Sequence, residues 1–303
     1  MKISLAPNPY YWTHDELLSF YETIARAPVD IVYLGETVCS KRRSLNLQEW
    51  LELADMLAGA GKEVVLSSLS LLEAESELNT LRRICANGKY RVEANDMSAV
   101  HLLAGKTTFV AGPTINIYNA GTLAFLAGLG MRRWVMPVEL SRDTLAELQR
   151  HRPAGVETEL FAFGRLPLAI SARCFTAHRF DVPKDDCKLR CLDHPIGIRL
   201  NTQEDAPFLT LNGVQLQSAQ SYNLLPELEE IKQLGVDILR ISPQLDDTDA
   251  IIRVFHACIT GAQSITEAQR ELATLTTDPL CDGYWHGNRG IEYLQAQREI
   301  QNA

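Results

Sequence analysis

Long apolar runs are missing from this chain of 303 residues. Its longest, such as LAFLAGLG at 123–130, are far too short to cross a bilayer, so no transmembrane segment is expected. The opening residues, MKISLAPNPYYWTHDELLSF, lack the basic start and apolar stretch of a secretory signal, which leaves a reducing, cytoplasmic setting as the expectation. Positive charge is in short supply: 29 Lys and Arg face 38 Asp and Glu, for a net charge of −9. A broad electrostatic grip on nucleic acid needs clustered Lys and Arg, so no nucleic-acid partner is expected. No HExxH stretch and no nucleophile elbow occurs, which removes the simplest routes to metalloprotease and serine-hydrolase chemistry. Low-complexity segments and Ser/Gly linkers are absent too, and residues 1–303 read as one barrel-type domain.

Short β-rich runs alternate with helical patterns. Candidate strands are Lys2–Ala6, Asp30–Gly35, Glu63–Ser67, Tyr90–Asn95, Thr108–Gly112, Arg133–Pro137, Val156–Phe161 and Asp237–Ser242. Several are nearly continuous in apolar residues (IVYLG, VVLSS, TFVAG, ILRIS), as strands covered on both faces must be. Thr13 with Glu16, Asn46 with Glu49, and Ser70 with Glu73 suggest capped helix starts, and Gly130, Gly235 and Gly261 stand where helices would stop. The expected fold is α/β, a (β/α)8 TIM-like barrel, with a doubly wound open sheet as the alternative. One interval is too long for a single helical connection: Phe161 to Asp237. It reads as an insertion at about 162–225, with a cysteine loop, a hairpin in PFLTLNGVQLQ whose Asn212-Gly213 pair suits a type I′ turn, and then a helix at Pro226–Leu234.

Cysteine is sparse but unevenly placed. There are seven, an odd number that excludes full pairing within the chain, and three of them fall in CFTAHRFDVPKDDCKLRC at 174–191. Cys174 follows an extended run, Cys187 and Cys191 sit in a polar loop, and Cys39 lies in the loop after the strand IVYLG. Loops after the strands of a parallel barrel emerge on one face, so Cys39, Cys174, Cys187 and Cys191 can converge there. Four thiolates suit an iron–sulfur cluster or zinc, and the spacing alone leaves cluster, zinc and no metal all open. CKLRCLDH approaches a radical-SAM spacing, but its third position is His194, which reads as a loop histidine before Pro195. Cys85 and Cys258 lie in helical patterns and Cys281 near the C-terminal end, all three reading as ordinary packed or surface thiols. Glu36, Glu93, Asn95, Asn116, Glu139, Glu159 and Arg173 fall at or near strand ends, where they can line a barrel mouth; none is given a catalytic role.

The stretch ELFAFGRLPLAISARC, with Glu159, Phe161, Gly164, Ser171 and Cys174, resembles the signature of the collagenase-like peptidase U-32 family. NIYNAGTLAFLAGLGMRRWVMPVELS at 116–141 is similar to that family's core segment, and the likeness runs from the first strand to Cys191 and on to DGYWHG. Where many members carry a further cysteine this chain has Leu166-Pro167; Pro167 with Cys39, Cys174, Cys187 and Cys191 resembles the UbiV branch. The resemblance implies a 4Fe-4S cluster held by those four cysteines. It also implies a heterodimer with a UbiU-like protein and a part in oxygen-independent hydroxylation of prenylated ubiquinone precursors, with a lipid-carrier protein as a further candidate partner. An RNA-hydroxylating relative and a non-catalytic electron-transfer or scaffold subunit are the alternatives. Proteolysis is not expected: the histidines near these thiols, His178 and His194, would have to partner thiols that read as metal ligands.

Overall fold

The computed structural model is described over residues 1–294. Seven strands alternate with helices from the start: β1 (Lys2–Leu5), β2 (Ile31–Leu34), β3 (Glu63–Ser67), β4 (Arg91–Ala94), β5 (Phe109–Ala111), β6 (Met131–Val135) and β7 (Glu157–Ile170). Between them run α1 (His14–Arg26), α2 (Leu47–Gly59), α3 (Glu75–Cys85), α4 (Met97–Leu103), α5 (Ala120–Gly128) and α6 (Arg142–Arg150). All neighbouring pairs from β1 to β7 are parallel. After β7 come α7 (Phe175–Arg179), the antiparallel strands β8 (Ile198–Asn201), β9 (Pro207–Asn212) and β10 (Gln215–Asn223), and α8 (Leu228–Gln233). The strand β11 (Ile238–Ile241) then pairs parallel with both β1 and β7, Leu239 lying opposite Ile3 and Leu160, and closes an eight-stranded barrel. The chain continues through α9 (Thr248–Thr260), α10 (Ile265–Leu275) and the short β12 (Leu280–Cys281), which pairs with β10. Closure leaves no open edge among the barrel strands, so the doubly wound alternative does not apply.

Strand alternation sorts the core. Ile31, Tyr33, Val65, Val110, Val135 and Ile238 form a small cluster of their own, while their neighbours Val32, Leu34, Val64, Leu66, Phe109 and Leu239 join the large cluster shared with the helices. The first set faces the barrel interior and the second the helical layer, the period-2 pattern of a strand buried on both sides. Capping boxes fix the starts of α1 at Thr13 and Glu16 and of α2 at Asn46 and Glu49. The expected start at Ser70 and Glu73 is displaced. The Ser70 backbone N–H bonds the Thr37 carbonyl, and α3 starts at Glu75 with Glu77 accepting from the Glu73 and Ala74 amides.

Strand β7 is longer than the sequence pattern suggests, running past Phe161 to Ile170. It pairs with β11 as far as Phe163 and with β10 from Phe163 to Ile170. The switch falls at Gly164, at φ +120°, where an added Cβ would stand 2.6 Å from the Ser242 Cβ. A side chain there would collide with the closing strand, so glycine lets β7 leave the barrel rim. The hairpin between β9 and β10 also departs from expectation. Asn212 pairs with Gln215, which makes Gly213 and Val214 the turn residues, and of these only Gly213 has positive φ, at +66°. That is the pattern of a type II′ turn rather than type I′.

Candidate functional site

The polar residues of the barrel interior form one bonded set. Arg240 donates from Nε to Glu159 (2.6 Å) and from Nη2 to Glu93 (2.7 Å), with its guanidinium 4.1 Å from the Tyr33 ring centroid. Glu159 also accepts from Ser4 (2.6 Å) and the Tyr33 hydroxyl (2.5 Å), and Glu93 from Ser67 (2.7 Å). Arg133 donates to Tyr33 (3.2 Å) and reaches Glu63 and Glu157. Burial alone would raise the Glu159 carboxyl, but Arg240 and Arg133 more than reverse it, and Glu159 is held below the usual carboxylate range.

Above this set lies a cavity of about 420 Å³ at the mouth of the barrel. Glu93, Asn95, Asn116 and Glu139 line it, as their strand-end positions suggest. Glu36 instead borders a much smaller pocket beside Arg42, and Glu159 lies beneath Arg240. Arg173 is exposed and outside the cavity lining. One side of the wall comes from the departing part of β7 and from β10: Pro167, Leu168, Ile170, Gln215 and Gln217.

The four singled-out cysteines meet on the far side of that wall. Cys174 packs with Val38, Ala177 and Val214, and Cys39, Cys187 and Ile170 pack against them. The thiols sense one another: Cys39 interacts with Cys174, and Cys174 with Cys187 and Cys191. The Ala177 amide donates to the Cys174 sulfur (3.4 Å). N–H groups of Lys41 and Thr176 lie beside Cys39 and Cys174, and the Arg42 guanidinium lies beside Cys191. Burial still pushes the Cys39 and Cys174 thiols up. Glu36 Oε1 accepts from the Val38 and Cys39 amides (2.8 and 3.0 Å), which fixes the Cys39 loop. Among the described residues no three His, Cys, Asp or Glu are arranged to hold a single metal ion.

The other three thiols have different surroundings. Cys85, Cys258 and Cys281 have no hydrogen-bond donor at sulfur among the described residues, and burial pushes Cys85 up to about 11 and Cys281 to about 12. Cys281 is fully buried, so of the two readings for it, packed rather than surface applies. His194 stacks on Phe180 at 5.6 Å between ring centroids, an aromatic contact in the cysteine loop.

A model of peptidase family U32 matches residues 17–295, a span that contains seven of the eight barrel strands and the cysteine segment. The chain belongs to peptidase family U32. Among solved structures, this U32 chain is similar to the U32 peptidase Mk0906 at 13% identity, over 80% of this chain and 93% of that one, with a TM-score of 0.46. It is also similar to dihydropteroate synthase from Thermus thermophilus (12% identity, 84% and 94% covered, TM-score 0.38). N-acetylneuraminate lyase from Fusobacterium nucleatum is a third (13% identity, 90% and 79% covered, TM-score 0.39). Residues of this U32 chain that sequence reasoning passed over are Arg42, Arg240 and Gln217. Arg240 had a signal, a lone charge within the apolar strand ILRIS; Arg42 follows Cys39 in CSKRR; Gln217 had none beyond its place in the hairpin.

Proposed function

We propose that this protein is an iron–sulfur subunit of an oxygen-independent hydroxylation system that acts on prenylated ubiquinone precursors. In this reading it works in the cytoplasm as a heterodimer with a UbiU-like protein, with a lipid carrier presenting the precursor. The observation that carries it is the contrast between the two sets of thiols. Cys39, Cys174, Cys187 and Cys191 gather from two distant loops, with the Ala177 amide donating to Cys174; Cys85, Cys258 and Cys281 stand apart in α3, α9 and β12.

The donor set fits a 4Fe-4S cluster. Thiolates are the soft ligands such a cluster takes, and N–H donors at sulfur stabilise the thiolate form. A cluster receives its four ligands at separate corners, so they need not converge on one point as the ligands of a single ion do. Bound there, the cluster would supply one-electron transfer, which redox-inert zinc cannot. The chain's own part is to hold four thiols beside the wall of the barrel-mouth cavity. Ile170 packs on the cysteines and also lines the cavity, so a ring held in the cavity would lie on the other side of that residue.

Anaerobic purification with iron and sulfide analysis tests the ligand set. Replacing any of Cys39, Cys174, Cys187 or Cys191 with Ala should abolish iron binding, while Cys85→Ala, Cys258→Ala and Cys281→Ala keep it. Loss of iron in Cys85→Ala equal to that in Cys187→Ala would overturn the assignment. Cells lacking the protein should make ubiquinone normally in air and accumulate under-hydroxylated prenylated precursors without oxygen. Unchanged anaerobic quinones in the deletion would reject the pathway. Normal anaerobic quinones in a folded Cys191→Ala strain would leave only a scaffold role.

A further inference from the structure

Every charged group lining the barrel-mouth cavity is already answered from within the chain. Two carboxylates, Glu93 and Glu139, and two guanidiniums, Arg165 and Arg240, line it, and their charges cancel. Arg240 sits between Glu93 and Glu159, Arg165 is clamped by Asp278 (2.7 Å), and Glu139 accepts from the Tyr118 hydroxyl. An anionic ligand would arrive without a free counter-charge, because both guanidiniums are ion-paired, whereas a neutral one meets the apolar walls of Phe161, Leu168 and Ile170.

One polar atom at this wall is not answered. Gln217 lines the cavity and is 2% exposed, and its Oε1 is buried with no hydrogen-bond partner. The orientation of this amide follows from a chain of bonds that starts at Arg42 beside the cysteines. Arg42 has only donors, so Asn212 must turn its oxygen to Nη2 (2.7 Å). The Asn212 NH2 then faces the Gln215 oxygen (3.1 Å), which also takes the Gln217 NH2 (3.0 Å). An amide flip at Gln217 would set two oxygens against each other, so Oε1 is the atom left over. A buried acceptor without a donor is unfavourable in the empty site, and a ligand O–H is the group that relieves it.

We propose that the barrel-mouth cavity binds a neutral hydroxyl-bearing ring and that Gln217 Oε1 accepts the hydrogen bond from that hydroxyl. The identity of the ring as a prenylated phenol rests on the function proposed above; the cavity and its acceptor do not. A volume of about 420 Å³ takes a ring with the first part of a side chain rather than a long prenyl tail. Leu168 lines the cavity and is 36% exposed, which marks where such a tail would leave.

Calorimetric titration of the anaerobically purified full chain with 2-allylphenol and with 2-allylanisole tests this, because the anisole keeps the ring and loses the O–H. The phenol should bind about ten-fold more tightly than the anisole, the scale of one net hydrogen bond. Gln217→Leu, and the shortened amide Gln217→Asn, should erase that preference, and Leu168→Trp should weaken both probes at least about ten-fold by filling the mouth. Equal binding of the two probes, or no binding of either, by the native protein overturns the proposal and needs no variant. A Gln217→Leu protein with native circular dichroism that keeps the preference overturns it as well, as does a Leu168→Trp protein that binds both probes unchanged. These readouts contain no hydroxylation step. A protein that selects the phenol but leaves cellular quinones unaffected would sink the functional reading alone, and the reverse result would sink this one alone.

Discussion

The barrel interior is buried and the cysteine pocket partly so, and both are rich in ionisable groups, yet they are built in opposite ways. In the interior, Arg240, Glu93, Glu159 and Tyr33 direct their hydrogen bonds to one another and to Ser4, Ser67 and Arg133. In the pocket, Cys174, Cys39 and Cys187 stand among Val38, Ala177, Val214 and Ile170 with Cys191 near Cys174, the Ala177 amide donates to Cys174, and the Arg42 guanidinium lies beside Cys191. A set that closes on itself serves the fold. A set that gathers several like groups and points donors at them is arranged for something added later.

Breaking the interior set should have the largest effect. Arg240→Met leaves Glu93 and Glu159 buried near each other without their shared cation, and removing one partner of a buried pair costs about 3–5 kcal/mol. Urea unfolding of the metal-free protein should show that loss. Cys191→Ala, whose residue is only partly buried, should change the metal-free stability by less than about 1 kcal/mol while abolishing iron binding. Similar stability losses in the two variants would erase the distinction between a structural set and a waiting one.

Acid provides a second, smaller separation. Glu159 has a folded pKa below its ordinary 4.5, so it binds fewer protons folded than unfolded in the window between the two. Its contribution is fully present above pH 4.5 and is lost as pH falls through the depressed folded value. One proton gives a slope of at most about 1.4 kcal/mol per pH unit. Unfolding free energy measured from pH 6 downward should therefore fall below pH 4.5, and Glu159→Gln should flatten that part of the curve. A curve of the same steepness in Glu159→Gln would assign the acid sensitivity to other carboxylates, such as Asp278, which is also held low by Arg165.

The eight barrel strands were legible because residues such as IVYL in β2 are apolar at consecutive positions, and only burial on both faces makes that favourable. The convergence of Cys39 with Cys174 was legible for the same reason, since parallel strands send their following loops to one end. What was not legible depends on long-range contacts. The length of β7 past Phe161 is set by its pairing with β10, and the late start of α3 by the bond from Ser70 to Thr37. The turn type at Gly213 depends on register, which a one-residue difference in pairing changes, and Asn212-Gly213 fits two registers equally well by composition. Gln217 carries no local signal because its unpaired oxygen is a consequence of where Arg42 stands, far away in sequence.

That last dependence can be tested at its hinge, through a small difference between two glycine variants. Gly213 sits at φ +66°, and an added Cβ would lie 2.8 Å from Arg42 Nη2 and 3.7 Å from Val38 Cγ1. Gly61 has φ +86° but nothing within 4 Å of its would-be Cβ, so Gly61→Ala carries only the backbone cost of a left-handed residue, about 1 kcal/mol. Gly213→Ala carries that cost and also presses on Arg42, whose displacement would strain its bonds to Asn212 and to the Pro9 carbonyl (2.6 Å). Its expected loss is about 2 kcal/mol, and the difference between the two variants isolates the Arg42 contact from the strain they share. If the guanidinium is held as tightly as its two buried acceptors imply, Gly213→Ala should also weaken the phenol preference at Gln217, while Gly61→Ala leaves it intact. Equal stability losses and equal probe binding in the two alanine variants would mean that Arg42 yields freely and that nothing at the cysteine pocket fixes the amide at the cavity wall.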